Sequence, residues 1–424
     1  MKKFLAILLV VCLAFTSVFA NGESEKKAKD DGTVTINFST WDLTLDPALC
    51  KLIEQFQIDH PEIKVNIIEI DSASYTQKLS IMLNGGSDID VIQIKDADLT
   101  KSYYDKKQIV DLMPYVERDN FDLSIYNGLT KNFTMDGNLV GMPMRSDWYI
   151  MYYNKDVFDK AGVPYPSNDW TWADFEETAK KLTSGSGATK TYGALLHTWQ
   201  ACVMNWGVAE GKNTIMDKEY SFFKPYYEMA LRMQNVDKTI MDYGTLKTGN
   251  IHYSSPFLKG QVGMMPMGTW FMKTIIGKIN AGESNVNWGI ATLPHAEGIP
   301  AGYTVGASTP MAIGANGKHK DAAWEFIKYI CGSKGAMVLA ETGAIPGATN
   351  DEILQTIASA DGMPEGVAEA LKVSNICPDR PCVDHVGDIN QMLGEEHSLI
   401  MLGEISIDKG IAEMNQRAVE ILGK

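Results

Sequence analysis

The sequence predicts an α/β protein of two domains, because strand and helix periodicities alternate along a chain too long for one core. At 424 residues it exceeds the size at which single cores stop growing, about 250–300 residues. Hydrophobic residues make up 45% and charged residues 21%, as in a water-soluble globular protein. Val34, Ile36 and Phe38 alternate with polar residues, which predicts a strand. Asp46-Pro47 then opens a helix, with Leu49, Leu52, Ile53 and Phe56 at helical spacing and Pro61 beyond its end. Ile63, Val65 and Ile67 predict a second strand. Tyr75, Leu79, Met82 and Leu83 predict a second helix, stopped by Gly85-Gly86, and Asp90 to Ile94 reads as a third strand. Strand, helix, strand, helix, strand is the pattern of a parallel α/β layer.

The rhythm resumes further on. Asp147 to Tyr153 reads as a strand, Trp172 to Leu182 as a helix, and Glu228 to Met233 as part of another. Gly260 to Met267 and Trp288 to Ala291 read as strands, and Ala322 to Ile330 as an amphipathic helix. No repeat of 20 to 50 residues is visible, which argues against a solenoid or propeller.

The N-terminus carries export chemistry. Lys2 and Lys3 precede an unbroken apolar run from Phe4 to Phe15, and Val18 and Ala20 supply small residues before a cleavage point. Residues 1–20 therefore read as a signal peptide. The run is shorter than the roughly 20 residues of a membrane span. Cys12 lies in it, but Val11 stands where a lipid-attachment site needs a small residue, so a soluble exported protein is expected rather than an anchored one. Residues 21–32 are charged and nearly devoid of apolar side chains, which predicts a disordered tether. The net charge of −15 disfavours nucleic acid and anionic membranes as partners. Beyond Cys12 the cysteines are Cys50, Cys202, Cys331, Cys377 and Cys382. An odd number cannot all pair, so the chain is no disulfide scaffold. Cys377 and Cys382 could close a small loop, or remain as isolated thiols.

In parallel sheets ligands sit beyond the carboxyl ends of the strands. Two loops are so placed, Thr40-Trp41-Asp42 and Lys95-Asp96-Ala97-Asp98. Both offer carboxylates, and one adds an aromatic plate. Four stretches then carry a family likeness. The first is Gly137-Asn138-Leu139-Val140-Gly141-Met142-Pro143, continued by Tyr152 to Phe158 (YYNKDVF), Ala161-Gly162-Val163-Pro164 and Trp170 to Leu182. The second is Phe257 to Trp270 (FLKGQVGMMPMGTW). The third is Ala322 to Ile330 (AAWEFIKYI) with Thr342-Gly343-Ala344-Ile345-Pro346. The last is Gly403-Glu404-Ile405-Ser406 leading into Ala412 to Leu422. Together, in this order from Thr33 to the C-terminus, they resemble the extracellular solute-binding proteins of ABC importers, in the sugar-binding family that includes maltose-binding protein.

That resemblance implies a two-lobed periplasmic-binding-protein-like α/β fold, with hinge crossovers and a ligand cleft between the lobes. Residues 33–142 and 294–343 would form the first lobe, and 143–293 and 344–424 the second. It implies a monomer that captures a mono- or oligosaccharide and hands it to the permease subunits of the transporter, with no cofactor and no metal. Where the family has paired glycines before the strand at Ala312, this chain has Val305-Gly306, and Gly306 is carried over as a loop contact. Asp147, six residues before Tyr153, falls where the family places an acidic ligand contact, and Asp42 carries over likewise.

Sugar recognition needs flat apolar faces against C–H surfaces and planar polar groups for hydroxyls. Of the nine tryptophans, Trp170, Trp172, Trp288 and Trp324 lie in regular patterns and read as core. Trp41, Trp148, Trp199, Trp206 and Trp270 lie in or near predicted loops, and two or three of them are expected to face the cleft. Trp270 leads, being just past a strand and Gly268. Arg145, Asp96 and Asp98 complete the candidate set.

Two other functions fit some residues. The same fold could hold iron, a polyamine or a peptide, and the pairs Tyr103-Tyr104, Tyr152-Tyr153 and Tyr226-Tyr227 are the residue type that ligates iron. A glycosidase would use paired carboxylates, but no recognisable hydrolase, zinc, nucleotide or dinucleotide motif accompanies them. The export reading has a direct check. N-terminal sequencing of the exported protein is expected to start at Asn21, and a lipid on Cys12 would refute it.

Overall fold

β1 (Val34–Trp41) lies between β2 (Ile63–Ile70) and β3 (Val91–Gln93) and runs parallel to both. The computed structural model describes residues 32–43, 46–72, 74–126 and 128–423. The signal-peptide and nearly all the tether expectations lie outside the described residues, as does Cys12. From Val34 onward the chain packs as one unit.

The helix Pro47–Asp59 starts where Asp46 accepts a hydrogen bond from the Leu49 amide and Pro47, having no N–H, needs no acceptor. Its Phe56 packs with Phe38 of β1 around Phe326, at ring-centroid distances of 5.0 and 5.2 Å. Phe326 belongs to the helix Lys320–Cys331, so a late segment of the chain completes the first core. On the other face of the same strands, Tyr75, Leu79 and Leu83 of the helix Tyr75–Asn84 bury a smaller cluster with Ile92 and Ile94. Helices on both faces are what a parallel layer requires.

A short hairpin, β4 (Thr134–Met135) and β5 (Asn138–Leu139), turns through Asp136-Gly137, both with positive φ. β6 (Met142–Asn154) follows and is thirteen residues long. Its first part pairs antiparallel with β10 (Tyr303–Ile313), from Met142 opposite Met311 to Trp148 opposite Gly306. Its second part pairs with β8 (Val262–Gly268) on one edge and β9 (Trp288–Ala291) on the other. β7 (Tyr192–Ala194) lies parallel to β8. β10 pairs β3 at its far end and the parallel β11 (Asn375–Pro378) at its near end. β6 and β10 thus each belong to both halves of the molecule.

The pairing is irregular where they cross. The register slips between Thr309 and Pro310, and Pro310 stands opposite Pro143. Neither proline has an N–H, so this step of the ladder lacks donors. The Met144 carbonyl, passed over by β10, accepts instead from the Gly347 amide at 2.9 Å, and Ser146 donates to Ile345 at 3.0 Å. A third segment therefore crosses beside β6. Gly347 is required there, because a Cβ would sit 2.3 Å from the Pro143 carbonyl oxygen.

The second half is walled by the helix Trp172–Leu182, held by a reciprocal cap between Thr171 and Asp174. The C-terminal helices Val386–Leu402 and Ile407–Leu422 also pack on it. His397 docks the first of these, its Nδ1 meeting the Tyr227 hydroxyl at 3.0 Å. All five described cysteines are unpaired. Cys377 accepts from Asn375, and Cys382 donates to the Ala97 carbonyl, so the two thiols the sequence could have joined are engaged elsewhere.

Burial pushes the His397 pKa from its ordinary 6.5 down to about 3, with Lys247 adding to the effect, and that of His197 down to about 4. Both imidazoles bind protons more tightly in the unfolded chain. Their contribution is therefore complete above about pH 6.5 and is lost as pH falls towards the folded-state values. Between pH 6.5 and 5 each is expected to remove about 2 kcal/mol of stability. Thermal melts across that window should show a steep fall, made shallower by His397→Gln; an unchanged slope in that variant would refute the assignment.

Candidate functional site

Successive side chains of a strand point to opposite faces, and at the crossing this separates the residues of β6. Arg145 and Asp147 face a cavity of about 210 Å³, shared with Asp46, Thr269, Trp270, Lys273, Thr274 and the third crossing segment Gly343, Ala344 and Ile345. That is room for about seven waters at ~30 Å³ each. Ser146 and Trp148 face a larger and more open cavity of about 780 Å³ on the other side. The smaller cavity joins two carboxylates, Asp46 and Asp147, and two cations, Arg145 and Lys273, to the indole of Trp270.

Asp147 is the electrostatic centre of that cavity. Its Oδ2 is 3.1 Å from Arg145 Nε, and its Oδ1 accepts from the Thr269 hydroxyl at 3.0 Å. Burial pushes its pKa above the usual carboxylate range, while Arg145, Thr269 and Lys273 pull it back. Lys273 also reaches Asp46 at 3.7 Å, from the helix after β8 to the first helix of the chain. The cavity floor is thus a ring of alternating charges contributed by both halves of the molecule.

Trp270 forms the wall. Its indole lies directly over Gly268, where a Cβ would come within 1.9 Å of a ring carbon. The indole Nε1 donates to the Tyr253 hydroxyl at 3.1 Å, and Tyr149 meets the ring edge-on at 5.7 Å. Trp199 stands 6.5 Å from it, centroid to centroid, and is 39% exposed, which is unusual for so large an apolar side chain. Both tryptophans follow the carboxyl ends of strands, β8 and β7, where ligands bind in such sheets.

The other candidates sort into two groups. Trp41, Asp42, Asp96 and Asp98 lie at the ends of β1 and β3 and line neither of the two cavities. Trp41 packs on Tyr75 at 5.1 Å. Asp42, with φ of +42°, accepts from the Ser72 amide, and Asp96 accepts from Thr76. Asp98 lies 3.5 Å from Arg380, which follows β11. Three residues fall elsewhere. Trp206 is not in a loop but in the helix Ala201–Val208, 1% exposed and stacked on Trp172 at 5.0 Å. Trp148 is buried on the opposite face of β6 from Asp147. Gly306 lies inside β10 rather than in a loop, and its missing side chain is occupied by Trp148, Ile376 and the Asp147 carbonyl. The tyrosine pairs are dispersed: Tyr152 donates to the Gly268 carbonyl, Tyr226 to Glu210, and Tyr104 accepts from Asn138.

Asp46, Lys273, Tyr253 and Arg380 were not singled out from the sequence. Asp46 was visible only as a helix cap, and the others sit in stretches whose pattern reports packing rather than contacts.

A family profile described as bacterial extracellular solute-binding protein matches residues 41–337. Among solved structures, a sugar transporter of Rhizobium etli in an open conformation is 43% identical, with a TM-score of 0.85, covering 91% of this chain and 99% of that one. An ABC substrate-binding protein of Listeria monocytogenes, solved with cycloalternan, is 23% identical with a TM-score of 0.77, covering 92% and 99%. An arabinooligosaccharide-binding protein of Bacillus subtilis is 24% identical over 346 residues, 79% of this chain and 77% of its own.

The contact between Gly268 and Trp270 gives a test. Gly268→Ala must displace the indole, so it should weaken saccharide binding about as much as Trp270→Ala, roughly 30-fold or about 2 kcal/mol, with both variants still folded. Titration calorimetry showing wild-type affinity in folded Gly268→Ala would refute the placement of the ring.

Proposed function

Because the chain belongs to the bacterial extracellular solute-binding proteins, we propose that it captures a sugar between its lobes and delivers it to the membrane permease of an ABC importer. The observation that carries this reading is the pairing of Trp270 with Asp147 across one cavity. An indole face covers the C–H surface of a pyranose or furanose ring, and a carboxylate held by Arg145 and Thr269 accepts from its hydroxyls. The relative at 43% identity is itself a sugar transporter. Ligand contacts would come from Asp147, Arg145, Trp270 and Trp199 on one wall and from Trp41, Asp42, Asp96 and Asp98 at the ends of β1 and β3.

The lobes we assign are residues 33–142 with 294–343, and 143–293 with 344–424. Closure over the ligand would bend β6, β10 and the segment around Gly347. The protein acts as a monomer outside the cytoplasm after removal of residues 1–20, without turnover of its ligand. Two carboxylates near a sugar would serve a glycosidase as well. Here the central one is already committed to Arg145 and Thr269, which favours holding over proton transfer.

A thermal-shift panel of mono- and oligosaccharides tests the reading. A ligand at a hundred times its Kd stabilises the folded state by about 2.7 kcal/mol, a rise of several degrees. The sugar should be recovered unchanged after incubation. No shift with any saccharide, or product formed in proportion to protein, would overturn it.

A further inference from the structure

The loop that leaves β7 carries an imidazole that the fold does not use. His197 is 8% exposed, and its Nδ1 is buried with no hydrogen-bond partner among the described residues. A buried polar atom without a partner is destabilising, so its retention calls for a reason. Three other buried ring nitrogens are also unpartnered: those of Trp148, Trp206 and Nε2 of His397. Trp148 faces away from Asp147, Trp206 is stacked inside the second core, and His397 is locked between helices. His197 alone stands in the wall that holds Trp270.

Its ring meets Trp199 edge-on at 4.7 Å and Tyr253 at 5.3 Å, with His252 6.1 Å away. Tyr253 is the residue that anchors the Trp270 indole. These rings therefore pack as one cluster, in which His197 and Tyr253 are buried and Trp199 and His252 are exposed. Burial, with His252 and Lys247 nearby, lowers the His197 pKa to about 4, so the ring is neutral at physiological pH. A neutral imidazole has one donor and one acceptor nitrogen, the same pair of capacities as a sugar hydroxyl.

We propose that His197 is a specificity-determining ligand contact, its Nδ1 edge taking a hydroxyl of the sugar ring that stacks on Trp199. This rests on the sugar-binding reading and adds a second recognition point beside Trp270. Stacking on an exposed indole selects for a ring of any configuration, whereas one buried nitrogen at its edge selects for a hydroxyl in one position. A sugar lacking that hydroxyl leaves the nitrogen unpaired and is rejected.

The test uses the full mature chain and titration calorimetry with maltotriose, arabinotriose, D-glucose and L-arabinose, following whichever binds the wild type most tightly. His197→Phe keeps the ring contacts and removes both nitrogens. It should bind roughly tenfold or more weakly, with a melting temperature unchanged or higher. His197→Asn, which returns an amide near the Nδ1 position, should recover part of the loss. In ¹⁵N spectra of the wild type, the His197 ring signals should move on ligand addition, a readout independent of whether a variant folds. If His197→Phe binds as the wild type does while Trp270→Ala does not, the cleft stands and the contact falls, the nitrogen being satisfied by a buried water only. Ring signals that stay fixed at saturation overturn it equally. If the wild type binds none of the four sugars, the sugar-binding reading fails first and takes this proposal with it.

Discussion

Everything else in this molecule depends on two strands that run through both of the halves they connect. β6 and β10 carry one continuous ladder from the sheet around β1 into the sheet around β8. A flexible linker would leave the two halves independently oriented. A fully bonded ladder would fix them rigidly. The crossing is neither, because Pro143 faces Pro310 at a slipped register and the displaced Met144 carbonyl is taken by Gly347. A backbone hydrogen bond is worth about 0.5–1.5 kcal/mol net, so a step without one is where bending costs least. The position of that weak step, two residues from Arg145, puts the pivot beside the charged floor of the cavity.

The charge arrangement follows from that geometry. A carboxylate partly withdrawn from water, as Asp147 is with 16% of its side chain exposed, is unfavourable alone, and removing its partner is costly. Arg145 is supplied by the same strand two residues earlier, Thr269 by the neighbouring strand end, and Lys273 by the first turn of the helix that follows. Strand alternation places Arg145 and Asp147 on one face without any loop having to order itself. The aromatic wall is built with the same economy, since Gly268 lets Trp270 fold back over its own backbone.

Much of this was legible in the sequence, and the exceptions have physical reasons. The first three strands and the helix Trp172–Leu182 appear where the sequence pattern puts them. β6 begins five residues before the strand expected at Asp147, because Pro143 argues against a strand to any local reading and is tolerated only at an irregular step. Gly306 was assigned to a loop because the family resemblance puts paired glycines before the strand at Ala312, whereas here β10 already runs through it. Trp206 was placed in or near a loop; in the fold it lies in a helix, and Gly207 lets that helix approach the Phe222 backbone. Trp270 was singled out because it lies just past a strand that pattern can locate, Asp147 because the family resemblance pointed to it, and Trp199 only as a tryptophan near a predicted loop. Lys273 with Asp46 and Arg380 with Asp98 were not, since these pairs join distant segments and one sequence carries no record of such proximity.

The unpaired thiols set a limit on how the protein can fail. Burial raises the pKa of Cys202 and of Cys382 to about 12, and the nucleophile in disulfide exchange is the thiolate. Folded, the five described cysteines are unpaired, and burial raises the pKa of each, so little thiolate forms. Unfolded, the same sulfurs regain ordinary acidity and meet one another in a mobile chain. Their oxidation then competes with refolding, and any bridge so formed joins residues the native structure keeps apart. Heat inactivation in air thus becomes a one-way process whose half-life is set by unfolding rate and oxidant, while a reductant returns it to a reversible equilibrium.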